Sequence, residues 1–212
     1  MFNVEHALTC NIGGFITIRH NDIRDKTAKL LSEVCNDVAV EPVLQPLSGE
    51  NLRFKTSARE EDARVDVSAR GFWTRGSRAF LDVRVFNPIA RSYKSKSLES
   101  AYRQNENEKK RRYSERVREV EHGSFTPLVF TAFGGMGREC DRFYKQLANK
   151  LSEKQDVPQS VATNYVRTAI NFSLIKSIAL CMRGSRRTRA HPMSAEIPVE
   201  ILVESNKSNI SK

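Results

Sequence analysis

The sequence predicts an α/β protein, a mixed sheet flanked by helices. Three observations carry that expectation. A helix-period stretch near the N-terminus precedes the first extended segments. Two short apolar runs rich in β-branched and aromatic residues follow, separated by a glycine-bounded turn. A polar helix, a compact apolar run and two further helical stretches then complete the chain.

Taken in order, Ile23, Thr27, Leu30, Leu31, Val34 and Cys35 recur at helical spacing, with Asn21 or Asp22 as N-cap, and predict a helix over residues 22–36. Residues 38–47 read as extended, and Pro42 and Pro46 imply an edge position or irregular ends. The polar residues 49–62 read as loop. Strands are expected over residues 63–69 and 78–86, joined by a turn at 71–76 that carries Trp73, and Asn87-Pro88 ends the second. Residues 98–121 are rich in Glu, Lys, Arg and Gln, with Tyr102, Tyr113, Val117 and Val120 on one face, which predicts a long surface helix. Residues 124–133 form an apolar strand. Gly134-Gly135-Met136-Gly137 then turns into a helix over 138–154 with Phe143, Leu147 and Leu151 inward, and Pro158 breaks it. A last helix runs over 160–182, Gly184 stops it, and a basic segment leads to a short strand at 197–203.

Hydrophobic residues make up 39% and charged residues 28% of the 212, which places the chain among folded globular proteins. The net charge of +10 is concentrated. Residues 91–118 hold ten Lys/Arg against four Glu, and Arg183, Arg186, Arg187 and Arg189 account for the remaining excess. Clustered positive charge releases counterions from a polyanion, so nucleic acid is the leading partner, with a solvated helix face and basic tail as the plainer alternative. The N-terminus lacks a signal-peptide pattern, and the 160–182 helix is interrupted by Arg167, Asn171, Ser173 and Lys176, so no membrane span is expected. Four cysteines without dense spacing fit reduced thiols in cytosol or nucleus rather than a secreted protein.

The chemistry-bearing residues are the two strand acids. Asp66 lies in Arg64-Val65-Asp66-Val67 and Asp82 in Phe80-Leu81-Asp82-Val83, each among apolar neighbours where an unpaired carboxylate is costly to bury. Two such acids on neighbouring strands point to a shared cation. Magnesium suits such a pair, because it takes one or two carboxylates and completes its octahedron with water and phosphate oxygens.

With this order of elements, the sixteen-residue interval from Asp66 to Asp82 resembles the restriction-endonuclease-like, or PD-(D/E)xK, nuclease superfamily. The resemblance implies an αβββαβ core with a mixed central sheet, here extended by C-terminal helices. It implies that Asp66 and Asp82 hold Mg (or Mn) against a scissile phosphate, and that Glu33 supplies an extra carboxylate. The superfamily's lysine two residues after the second acid is replaced by Arg84, which can clamp a phosphate but cannot give up its proton.

A basic group on the next helix could take over. In Glu108-Lys109-Lys110-Arg111-Arg112-Tyr113 either Lys109 or Lys110 shares a helix face with Tyr113. This pattern resembles the endonuclease region at the end of non-LTR retrotransposon reverse-transcriptase polyproteins, which nicks target DNA. That resemblance implies DNA as partner, retroelement RNA as a second one, and Lys109, Arg111, Arg112, Arg186 and Arg187 along the nucleic-acid footprint. A non-catalytic nucleic-acid-binding remnant of the same fold is the alternative, and Arg84 favours it.

His6-Ala7-Leu8-Thr9-Cys10 resembles the second half of the zinc knuckle that precedes those nucleases, and Arg19-His20-Asn21 resembles the segment leading into their first helix. Zinc needs four ligands and would bind only with the knuckle's missing half. Residues 1–20 therefore read as a leader, 21–155 as the nuclease core, and 156–212 as a helical extension with a basic tail. Elsewhere, the glycine-rich turn lacks the spacing of a P-loop and reads as a helix cap, and Trp73 packs beneath its turn or stacks on a base.

Overall fold

The computed structural model describes residues 4–10 and 13–183. Arg186, Arg187 and the expected strand at 197–203 lie outside the described residues. The elements are α1 (Val4–Thr9), α2 (Phe15–Ser32), β1 (Asn36–Val40), β2 (Val67–Arg70), β3 (Arg78–Phe86), α3 (Leu98–Glu119), β4 (Ser124–Thr131), α4 (Arg138–Gln155) and α5 (Gln159–Arg183). The expected order, helix, three strands, helix, strand, helices, is present, and α1 is an addition to it.

The four strands form one mixed sheet in the order β1-β2-β3-β4. β1, β2 and β3 run antiparallel, and β4 lies parallel to β3. A parallel neighbour cannot be reached by a hairpin, and α3 supplies the crossover. On one face Leu81, Val83, Val67 and Ala69 pack with Ile23 and Leu31 of α2, Phe143 and Leu147 of α4, and Val166 and Ile170 of α5. On the other, Phe80 meets Tyr113 and Val117 of α3, joined by Leu44, Ala58 and Val65 from the long loop. The sheet is therefore covered on both sides, which explains why β3 reads as a nearly continuous apolar run.

Three elements differ most from expectation: β1 spans Asn36–Val40 rather than residues 38–47, and α2 and β2 have other bounds. α2 begins at Phe15 behind Gly14, whose φ is 71°, so Asn21 and Asp22 lie inside the helix rather than at its cap. Carried backward from Ile23, the apolar face reaches Arg19, which is only 2% exposed; a charged residue on a core-facing stripe hides the first two turns from a reading based on hydrophobic period. The run at 63–69 is divided. Only a bridge between Val43 and Arg64 forms at its start, and regular pairing begins at Val67. The partner strand causes the break: β1 ends at Val40, and Glu41 takes a φ of 50°.

The loop between β1 and β2 is fastened to α3 by Arg116, which is fully buried. Its Nη1 donates to the carbonyls of Ala58 and Glu60 (2.9 Å each) and its Nη2 to that of Gln45 (2.7 Å). One guanidinium thus satisfies three loop carbonyls, which lets an irregular segment lie against a helix.

Candidate active site

Beyond the pair Val67 and Leu81, the antiparallel register would set Asp66 opposite Asp82, but the ladder ends there. The Asp66 N–H donates to the Leu81 carbonyl (3.1 Å), and the Val83 N–H donates to Asp66 Oδ2 (2.5 Å). A carboxylate thus stands in for the backbone acceptor at the splayed end of the hairpin. β3 runs on beside β4, pairing Asp82 with Pro127.

Two basic side chains reach the acids from helices on opposite faces of the sheet. His20 of α2 places Nε2 2.9 Å from Asp66 Oδ1. Lys109 of α3 forms an ion pair with Asp82 Oδ2. Asp82 is 4% exposed, and burial pushes its carboxyl up to about 6. The Lys109 ammonium pulls against that rise, and the charge of Asp66 adds to it. Tyr113, one turn beyond Lys109, is buried against Phe125, and its hydroxyl is raised first by burial and then by the charge of Asp82. Asp66, Asp82, Lys109 and Tyr113 therefore meet around one end of the hairpin.

The other expected residues lie elsewhere. Lys110 turns to α4 and pairs with Glu139 at 2.6 Å, so helical geometry brings Lys109 and not its neighbour to the acids. Arg84, two residues after Asp82 and hence on the same strand face, pairs with Glu108 of α3 at 2.8 Å. Glu33 follows the end of α2, where it accepts hydrogen bonds from Gln155 and Tyr165 (3.2 Å each), apart from the two aspartates. Arg112 lies over the Tyr113 ring at 5.4 Å and pairs with Glu60, while Arg111 is exposed beside it. His20 is the site residue that the sequence did not assign. The available signal was its place next to Arg19, one position off the face that the Ile23 period defines.

The residues suit a hard divalent cation. Asp82 is a buried acid whose pKa is raised first by burial, and Asp66 is a nearby carboxylate whose charge adds to that rise, so a cation between them would relieve both. Among the described residues no group of three or more His, Cys, Asp or Glu side chains is placed to hold a metal ion. A two-carboxylate magnesium site does not require one, because water and phosphate fill the other positions. The zinc half-motif lies at the end of α1, where the Cys10 N–H donates to the His6 carbonyl (2.8 Å), an ordinary helical turn.

The glycine-rich turn is a structural cap. The N–H groups of Gly134, Gly135 and Gly137 donate to Thr131 O, Thr131 Oγ1 and Val129 O, and the Glu139 N–H donates to Glu106 Oε1. A carboxylate already stands at this helix start, as its dipole favours. Trp73 packs edge-on against Phe72 and donates from Nε1 to Thr126 Oγ1 (3.1 Å), the packing alternative for that residue. No protein-family model matches the chain, and no curated protein matches it. No helix among the described residues is long and apolar enough to cross a membrane.

Proposed function

We propose that this chain is a metal-dependent DNA endonuclease domain of retrotransposon type, with a restriction-endonuclease-like core, that nicks one strand by hydrolysing a phosphodiester. The observation that carries this reading is the meeting of Asp66, buried Asp82 and Lys109 at the splayed end of β2 and β3. Asp66 and Asp82 would hold Mg or Mn. What such an ion supplies when bound is polarisation of a phosphoryl oxygen and a lower pKa for the attacking water.

The chain's own groups provide the rest. Lys109, beside Asp82, would donate to the phosphate and offset charge as water adds to phosphorus and the P–O3′ bond breaks, with the leaving O3′ taking its proton from solvent. His20, donating from Nε2 to Asp66 Oδ1, would orient that carboxylate, and the proton that the water loses would pass to solvent. Arg84 anchors a neighbouring phosphate from the rim, and Arg111 and Arg112 on α3 follow the strand backbone. RNA of the same element would use those basic residues through the same phosphate contacts.

A second reading, a nucleic-acid-binding remnant without cleavage, is favoured by Arg84 standing where a proton-exchanging lysine is expected. Relaxation of supercoiled plasmid with Mg or Mn decides between the two. Nicking that vanishes in the Asp66→Ala/Asp82→Ala double variant supports the nuclease. Salt-sensitive DNA binding without any metal-dependent cut selects the remnant.

A further inference from the structure

We infer that α5 carries a second, outward seam through which two copies of this chain pair as a parallel coiled coil. The inner face of α5 is accounted for: Ala162, Val166, Ile170, Leu174 and Cys181 are buried against the body of the protein. The opposite face repeats with spacings of four and three along the whole helix, through Val161, Tyr165, Thr168, Phe172, Ile175, Ala179 and Met182. All seven positions are exposed. Phe172 and Ile175 at its centre are 69% and 63% exposed, unusual for side chains of this size.

Alternation of four and three is a period of 3.5 residues, the pattern that selects another helix as partner rather than a flat surface or an extended peptide. The helix has 25 residues and is about 37 Å long, enough for three heptads. Given roughly 150–250 Å² per aromatic side chain, the exposed parts of Val161, Tyr165, Phe172, Ile175 and Met182 amount to about 500 Å² per helix. The stems of Asn164, Asn171, Lys176 and Arg183 beside them bring each copy toward the ~800 Å² that a specific interface buries.

Charge placement favours an identical partner. α5 has no acidic residue, so its cations must avoid each other across the seam. Lys176 and Arg183 each directly follow a seam position, Ile175 and Met182, and therefore lie on one flank, while Asn164, Asn171 and Ile178 precede seam positions and occupy the other. Parallel pairing sets Lys176 beside Asn171 of the second copy and Arg183 beside Ile178, with no like charges in contact. Because the bodies hang from the opposite faces of the two helices, pairing leaves both hairpin sites outside the interface.

Sedimentation velocity of the full chain over a range of concentrations tests the proposal. Wild type is expected to pass from monomer to dimer, and Phe172→Asp/Ile175→Asp to remain monomeric with unchanged helical circular dichroism and melting temperature. A wild type that stays monomeric throughout overturns the proposal, as does a dimer that survives the double substitution. A monomeric wild type that the same substitution destabilises shows the stripe to be covered from within the chain, which overturns it equally.

Discussion

Asp66 Oδ2 accepts a hydrogen bond of 2.5 Å from the Val83 backbone N–H, the amide immediately after Asp82. The contact fixes one acid against the strand that bears the other, at the point where regular pairing ends. Sequence distance is thereby converted into a defined juxtaposition. Asp66→Asn turns one acceptor oxygen into a donor amide, and Asp82→Asn removes the buried charge. Each is expected to reduce metal-dependent nicking by about 10³-fold, since metal-borne stabilisation of this kind amounts to several kcal/mol. The assay is plasmid relaxation under single-turnover conditions.

The raised pKa of Asp82 makes both activity and stability depend on pH. A cation binds the ionised acid, so at limiting Mg the nicking rate should rise with pH through about 6, and higher Mg should move that limb to lower pH. In the absence of metal the folded state holds this proton more tightly than the unfolded chain does. The associated stability is fully present below the ordinary value of 3.8 and is lost as pH rises through about 6. The loss is roughly 3 kcal/mol at most, from 1.36 kcal/mol per unit. Urea titrations across pH 3.5 to about 7.5 should show it in wild type. The slope should be largely absent in Asp82→Asn.

Lys109 and Lys110 are adjacent in sequence but differ in what they touch. Lys109→Ala should lower the single-turnover rate by about 10²-fold, the scale of losing one charged donor to a transition state. Lys110→Ala breaks only a pair with the half-exposed Glu139 and should change the rate less than about threefold. Equal effects from the two would place the catalytic cation wrongly.

Arg116→Ala removes a fully buried guanidinium and leaves three loop carbonyls without their donor, that of Ala58 in a buried place. A cost of about 3 kcal/mol or more is expected, which corresponds to a melting temperature lower by roughly 6–12 °C. Arg111→Ala, at an exposed position five residues earlier on the helix, should leave thermal melting unchanged and weaken only DNA binding, with a shallower salt slope.

Element types were legible wherever local composition and burial agreed. β3 extends over the same residues that its apolar run and Asn87-Pro88 mark out, and α4 follows from Phe143, Leu147 and Leu151 with Pro158 behind it. The start of α2 was hidden because Arg19 occupies a core position that hydrophobic periodicity assigns to solvent. β2 was overextended because its first half faces a strand that turns away at Glu41; Pro42 marks that end on β1, but its effect on the partner strand is long-range. Within the site, the acids stood out by their apolar neighbours. The choice between Lys109 and Lys110 depends on how α3 is rotated against the sheet, which Tyr113, Val117 and Phe80 determine through packing. His20 reaches Asp66 only because helix and hairpin meet in three dimensions.

Whether Asp66 and Asp82 share one divalent cation is read from Mn²⁺ binding by calorimetry, with paramagnetic resonance of the bound ion. One site per chain is expected, abolished by Asp66→Asn or Asp82→Asn alone and retained in Glu33→Gln. Mn²⁺ binding that is unchanged in both aspartate variants would contradict a shared site.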